Sequence, residues 1–454
     1  MNPKLLPRYR LLNIFFISTL ISILGIIFSN FLVIGSDYWS SGNIGDGYLQ
    51  IASMIFRGEG FRFEPNGPLV MHRPPLYPYL IAPLTSFSVA IQKFAIPSLN
   101  AIFAGVSATL IYYLTVNIFS CQRSAVAAVV MFLISPWLHR LITTPHTAML
   151  QSMIFLAIAT TLYTLIIKGR VKNRLSPKRF FLLTIWYGLL GGALGLTHGA
   201  GFAVFGITWL GLMTIILKSN GSNKFSRISS VILAAAIAIA IISTWSIRNA
   251  NNFPITFPIT TGAPLNYFVG NVYWDLGGHN LDSEKSLKDN ALFIGGVNLP
   301  EKDVIQYWGV IDPNHELTLQ NSFKEHILEH PGSVIKKAFL TSLDIFIPAT
   351  HWFYCSYYNN ANCANEGISG AVHRFGISLY MGSILVLTFI SIKLNNTKRG
   401  PIFLLLFLAV LHILPYLPLG QWAPHGIYAL SSLTLLIVIA SGGLFNQTDK
   451  ADHY

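Results

Sequence analysis

Along the chain, long apolar runs alternate with short polar joints. The first run, "LLNIFFISTLISILGIIFSNFLVIG", extends from Leu11 to Gly35 without a charged residue. It is too long and too apolar for a secretory leader, and no small-residue cleavage site follows it, so it reads as a retained helix over 11–34. Similar runs predict spans at 97–119, 124–141, 146–167, 180–197, 200–217, 228–247, 371–392, 401–418 and 424–442, ten in all. The stretch "GSVIKKAFLTSLDIFIPAT" (332–350) is apolar too, but contains Lys336, Lys337 and Asp344. It reads as an interfacial or partly inserted helix, with an eleventh span as the alternative.

The polar joints set the orientation. "MNPKLLPRYR", "CQRS", "KGRVKNRLSPKR", "KSNGSNKFSR" and "KLNNTKRG" all fall on one face of a ten-span arrangement. Basic short loops collect on the cytoplasmic side, which places both termini there. Fourteen of the eighteen Asp and Glu lie in 35–95 and 248–335, both on the other face. The chain divides accordingly. An N-terminal transmembrane module, 1–247, includes the first outer loop, 35–95. A large outer region, 248–370, reads as a small cap with an interfacial helix, and C-terminal helices with a cytoplasmic tail fill 371–454. No internal repeat stands out.

Composition agrees with this picture. Hydrophobic residues make up 52% of the 454 residues and charged ones 11%, with a mean hydropathy of +0.53; soluble domains carry about 25% charged residues. The expected class is an all-α polytopic protein of the plasma membrane. A net charge of +12 would suggest nucleic acid in a soluble protein, but here it is a topology signal, and no nucleic-acid partner is expected. Of three cysteines, Cys355 and Cys363 share the hydrophilic loop "HWFYCSYYNNANC". They can pair if that loop faces an oxidising compartment.

The first outer loop is long for a connector. Tyr48, Ile51, Ala52 and Ile55 recur at helical spacing, with Gln50, Ser53 and Arg57 opposite, which predicts a helix lying in the membrane interface. Asp46 stands just before it. As a residue pattern this suits an N-cap. Further on, "HRPPLYPYL" places His72 and Arg73 ahead of two prolines that fix the chain's direction. Arg73 suits either lipid headgroups or a bound phosphate.

The order of carboxylate, interfacial helix, "GEG" and "RPPLYP" resembles the GT-C membrane glycosyltransferases, in particular the protein O-mannosyltransferase and lipid A aminoarabinose transferase group. The resemblance continues in "STWSIRNANNFPITFPITTGAPLNYFVGN" (243–271), with Trp245, Arg248 and Asn249 in a Trp-x-x-Arg-Asn pattern and Thr244 where proline is usual. "FKEHILEHPGSVIKKAFL" is similar to the family's stretch leading into the later helices. The resemblance implies a GT-C-like fold and an inverting transfer, at the outer membrane face, of a sugar carried on a polyprenyl phosphate to a protein, lipid or glycan acceptor. It implies Asp46 as the base that takes the acceptor's proton, where many members have Asp-Glu and this chain has Asp-Gly; Asp37 is the rival carboxylate. It also implies a donor-phosphate site formed by Arg73 and Arg248, with His425, His198 and His72. His198 and His425 stand where relatives often carry arginine, so their charge depends on pH.

Position supports an anion site independently. His72, Arg73, His139, Arg140, His146, His198, Arg248 and His425 all fall at or just beyond the outer ends of the expected spans, and none has an acid within three residues. Basic groups without nearby acids at one depth suggest an anion site; headgroup contact is the plainer reading. A structural zinc would want three or four ligands, and no CxxC pattern is present. No cofactor is expected, with a divalent metal left open. Two other functions compete: a transporter or flippase of a lipid-linked glycan, which should show paired repeats and charges within its spans, and a non-catalytic scaffold, against which the presence of Asp46 speaks.

Overall fold

The computed structural model describes residues 8–32, 47–67, 69–71, 73–169, 175–219, 223–252, 321, 323–346, 367–415, 417 and 425–445. Asp37, Asp46, His72, Cys355, Cys363 and residues 253–320 of the expected outer region, 248–370, lie outside these residues.

The described chain is helical, and its only β feature is a single antiparallel bridge, Arg62 with Leu69. The helices are α1 (Arg8–Leu32), α2 (Tyr48–Phe56), α3 (Leu76–Ile81), α4 (Val89–Phe119), α5 (Gln122–Leu133), α6 (Pro136–Thr143), α7 (Ala148–Leu162), α8 (Pro177–Thr197), α9 (Gly199–Leu217), α10 (Lys224–Asn252), α11 (Pro331–Phe346), α12 (Gly367–Leu394), α13 (Arg399–Ile413) and α14 (His425–Ser441). One π-helical turn, Tyr163–Lys168, extends α7.

Among the described residues, eight helices are long and apolar enough to cross a membrane, or nine if α5 and α6 form one bent span. The expected span at 124–141 is thus not a single rod. Its halves meet at 47°, where Ser135 precedes Pro136; proline disfavours helical backbone in the residue before it and offers no N–H to the preceding turn. The expected span at 97–119 starts earlier, since α4 begins at Val89 and carries Pro97 within it. The tenth expected span coincides with the 17-residue α14. Of the 332–350 stretch, residues 332–346 are described and lie in α11.

Apolar burial alone cannot hold helices together in lipid, so close backbone approach matters. α8 meets α10 through two glycines one turn apart. A Cβ on Gly188 would come within 2.5 Å of the Ala234 carbonyl oxygen, and one on Gly192 within 2.8 Å of Ile241 Cβ. α1 crosses α4 at Gly105, where a Cβ would come within 2.0 Å of Thr19 Oγ1. The buried core centres on α4, α7 and α14, while α1 turns Leu12, Phe16, Leu20 and Leu24 outward, as a lipid-facing helix does. The expected interfacial helix is α2, and its buried face carries Tyr48, Ile51 and Ala52, as the spacing indicates, with Met54 in addition.

Candidate functional site

The end of the bundle opposite the basic loops gathers residues from the first outer loop, the α6–α7 joint, the α8–α9 turn and the ends of α13 and α14. α2 opens at Gly47, which has the left-handed φ of 79° at the N-cap position. A Cβ there would lie 2.2 Å from Phe63 Cε1. The cap is therefore this glycine rather than Asp46, and the local backbone demands it, because left-handed φ costs other residues about 1–2 kcal/mol.

The rest of the loop is tied down. Arg62 donates through Nε to the Glu59 carbonyl at 3.0 Å and through Nη1 to the Gly67 carbonyl. The Val70 amide donates to Phe61 O at 2.9 Å. Arg248, near the end of α10, donates from Nη1 to Val70 O at 2.8 Å and to Asn249 Oδ1 at 3.0 Å. Its guanidinium lies 4.6 Å from the centre of the Trp245 ring and 5.6 Å from that of Phe61. Arg248 thus pins the loop three residues before Arg73.

Arg73 lies in a different group. Its guanidinium sits 5.7 Å from the Tyr48 ring centre, and that ring meets Tyr77 edge-on at 5.8 Å and His146 at 5.6 Å. Tyr77 donates its hydroxyl to Asn100 Oδ1 at 3.1 Å, and Asn100 Nδ2 donates to the Ile142 and Thr144 carbonyls at 3.1 and 2.9 Å. This buried asparagine fixes the turn that delivers His146.

His146 and His198 share one local device. The amide of Ala148 donates to His146 Nδ1 at 3.1 Å, and that of Ala200 to His198 Nδ1 at 3.3 Å. Each Nδ1 therefore acts as an acceptor, which fixes the neutral ring's proton on Nε2. Burial, with His146 and Arg73 nearby, pushes His198 down to about 4. Near neutrality it is an uncharged donor, and Arg73 supplies the positive charge.

His412, near the end of α13, is a residue that no sequence motif singled out. Ser432 donates its hydroxyl to Ala409 O at 2.8 Å, so its oxygen accepts from His412 Nδ1 at 3.3 Å. His412 Nε2 then accepts from Gln151 Nε2 at 3.1 Å. A histidine alone in an apolar run was the readable signal, because ionisable residues inside membrane spans are rarely idle.

Of the sequence-selected residues, Arg73, His146 and His198 come together, and Arg248 stands beside them against the same loop. His425 opens α14, while its side chain, like those of His139 and Arg140, is outside the described set. Among the described residues no three His, Cys, Asp or Glu are grouped to hold a metal ion. His326 and His330, four apart in "HILEH", come near to one, with ring centres 5.0 Å apart, but two donors fall short of a zinc set.

No protein-family model and no curated protein matches the sequence. Solved structures do. The crystal structure of the Archaeoglobus fulgidus oligosaccharyltransferase complex with Zn and sulfate superposes with a TM-score of 0.51 at 16% identity, over 94% of this chain and 48% of that one. The chain thus spans about half the length of that enzyme. ArnT from Cupriavidus metallidurans, crystallised bound to undecaprenyl phosphate, gives a TM-score of 0.38 at 12% identity over 96% and 76% of the two chains. Its apo state gives 0.36 at 12% over 88% and 72%. At such identities the likeness is one of fold: the described residues form an all-α membrane architecture like that of the archaeal oligosaccharyltransferase.

Proposed function

We propose that the chain is an inverting glycosyltransferase that moves a sugar from a polyprenyl phosphate to an acceptor at the outer membrane face. The observation that carries this is the convergence of Arg73, Tyr48, His146 and His198, from three separate stretches, directly beside the start of α2, which Asp46 precedes. One fixed cation with two imidazole N–H donors suits an oxyanion whose charge grows as a bond breaks.

In this reading Asp46 takes the proton of an acceptor hydroxyl. The acceptor oxygen attacks the anomeric carbon from the face opposite the phosphate. The bond from that carbon to the phosphate oxygen breaks, its electron pair leaves with the polyprenyl phosphate, and the anomeric centre inverts. Arg73 meets the departing phosphate through its planar fork, with His146 and His198 donating from Nε2. Arg248 contributes by holding the loop, and His72 and His425 complete the donor site from their places next to Arg73 and at the start of α14. The lipid-borne phosphate can sit only at the interface, the depth that the span pattern assigns to these groups.

The test is sugar transfer in membranes supplied with defined polyprenyl-phosphate sugars. Asp46→Asn keeps the shape and removes the proton acceptor, so turnover should fall roughly 100- to 10,000-fold with donor binding retained. Normal turnover in that variant would shift the base to Asp37 or dismiss the enzyme reading.

A further inference from the structure

We infer a second lipid site, at the opposite end of the bundle from the candidate active site: a cleft that takes an anionic phospholipid, with its phosphate on Arg227. The cleft lies among the ends of α7, α8, α9 and α10 on the face that bears the basic loops. Apolar Leu165, Ile166, Phe180, Leu212, Ile215 and Ile216 line it together with polar Ser219 and Arg227.

The order of these residues matches that of an amphiphile. Arg227 is in the first turn of α10 and Ser219 just past the end of α9, at headgroup level. Leu212 lies five residues inside the end of α9 at Leu217, about 7.5 Å deeper at 1.5 Å per residue. A phosphate at the mouth would therefore have its first methylenes against apolar side chains. The Arg227 guanidinium lies 5.3 Å from the Phe180 ring centre, and both residues line the cleft.

Charge specifies the occupant. Between residues 65 and 274 the chain contains no Asp or Glu, so none of the four helices forming the cleft offers Arg227 a carboxylate. A buried or half-buried guanidinium at a membrane surface is stabilised by a counter-charge, and the bilayer's own anionic headgroups are the available supply. Of the acids elsewhere, Asp449 and Asp452 share the tail expected on this face and are the internal competitor.

Native mass spectrometry of the detergent-solubilised full chain, titrated with phosphatidylglycerol or phosphatidylcholine, tests this. The first-bound phosphatidylglycerol should be preferred, and Arg227→Ala should lower its affinity about fivefold, the effect of one basic residue near a lipid surface. Arg227→Lys should keep most of it, which controls for folding. Ile215→Trp, which fills the cleft and leaves the charge, should weaken it comparably, whereas Lys178→Ala, on an exposed residue outside the cleft, should not. Unchanged affinity in both Arg227→Ala and Ile215→Trp overturns the site. Equal losses in Lys178→Ala and Arg227→Ala reduce it to diffuse attraction and overturn it too. A rise in affinity in the Asp449→Asn, Asp452→Asn double variant would assign the cleft to the tail instead.

Discussion

Gly47→Ala is the most informative single change, because two physical effects meet there and can be separated. The backbone at Gly47 has a φ of 79°, and that at Gly58 has 77°. Either position made alanine suffers left-handed strain of about 1–2 kcal/mol. Beyond that they differ. Nothing lies within 4 Å of a Cβ on Gly58, whereas a Cβ on Gly47 would sit 2.2 Å from Phe63 Cε1. Phe63 is half-buried and can turn aside, which as an overpacking effect costs about 1–3 kcal/mol. Gly47→Ala should thus destabilise by about 2–5 kcal/mol and Gly58→Ala by about 1–2 kcal/mol. Thermal melting in detergent reads this difference, and Phe63→Ala combined with Gly47→Ala should recover the steric part, as a double-mutant cycle. Function should separate the two further. Asp46 adjoins Gly47, and a shift of about 1 Å at a reacting group can cost roughly 100-fold, so turnover should collapse in Gly47→Ala and stay near normal in Gly58→Ala. Indistinguishable melting and turnover for the two variants, with no recovery by Phe63→Ala, would refute the reasoning.

Three further expectations concern the cations and histidines. Arg73→Ala should weaken donor binding roughly tenfold to a hundredfold, the loss of one charge-assisted bond, with Arg73→Lys recovering part and exposed Arg179→Ala having no effect; normal donor use by Arg73→Ala would return this arginine to headgroup contact. Arg248→Ala should speed hydrogen exchange at the Val70 amide, whose carbonyl loses its 2.8 Å bond; unchanged exchange there would end the pinning role. His198 is held at about 4 against an ordinary 6.5. Below 6.5 the unfolded chain therefore binds the proton that the folded one refuses, and stability should drop as pH falls from 6.5 towards 4, by at most about 3 kcal/mol; the drop should vanish in His198→Gln and be absent above pH 7.

The sequence by itself determined which segments are helical and apolar and which face of α2 is buried. It also marked Arg73, His146 and His198, which the fold brings together. Each of these follows from local physics: hydrocarbon forces backbone hydrogen bonds inside each segment, so a run of about 20 apolar residues nearly dictates its own structure. The bend ahead of Pro136 was readable in the same way, since a proline marks its own break. What only the tertiary structure decided is how the groups sort. Arg73 and Arg248 both fall at outer ends of the expected spans, yet one faces Tyr48 and the other grips Val70 O beside Trp245 and Phe61. Gly47 reads as an ordinary turn residue until Phe63 fills the space beside it. The buried bond between Gln151 and His412 joins residues 261 apart, and Asn100 aims the α6–α7 turn from more than 40 residues away. Such contacts depend on which helices become neighbours, and that is set by close fits such as Gly188 on Ala234. Hydropathy, which treats each residue by its own transfer energy, carries no information about them.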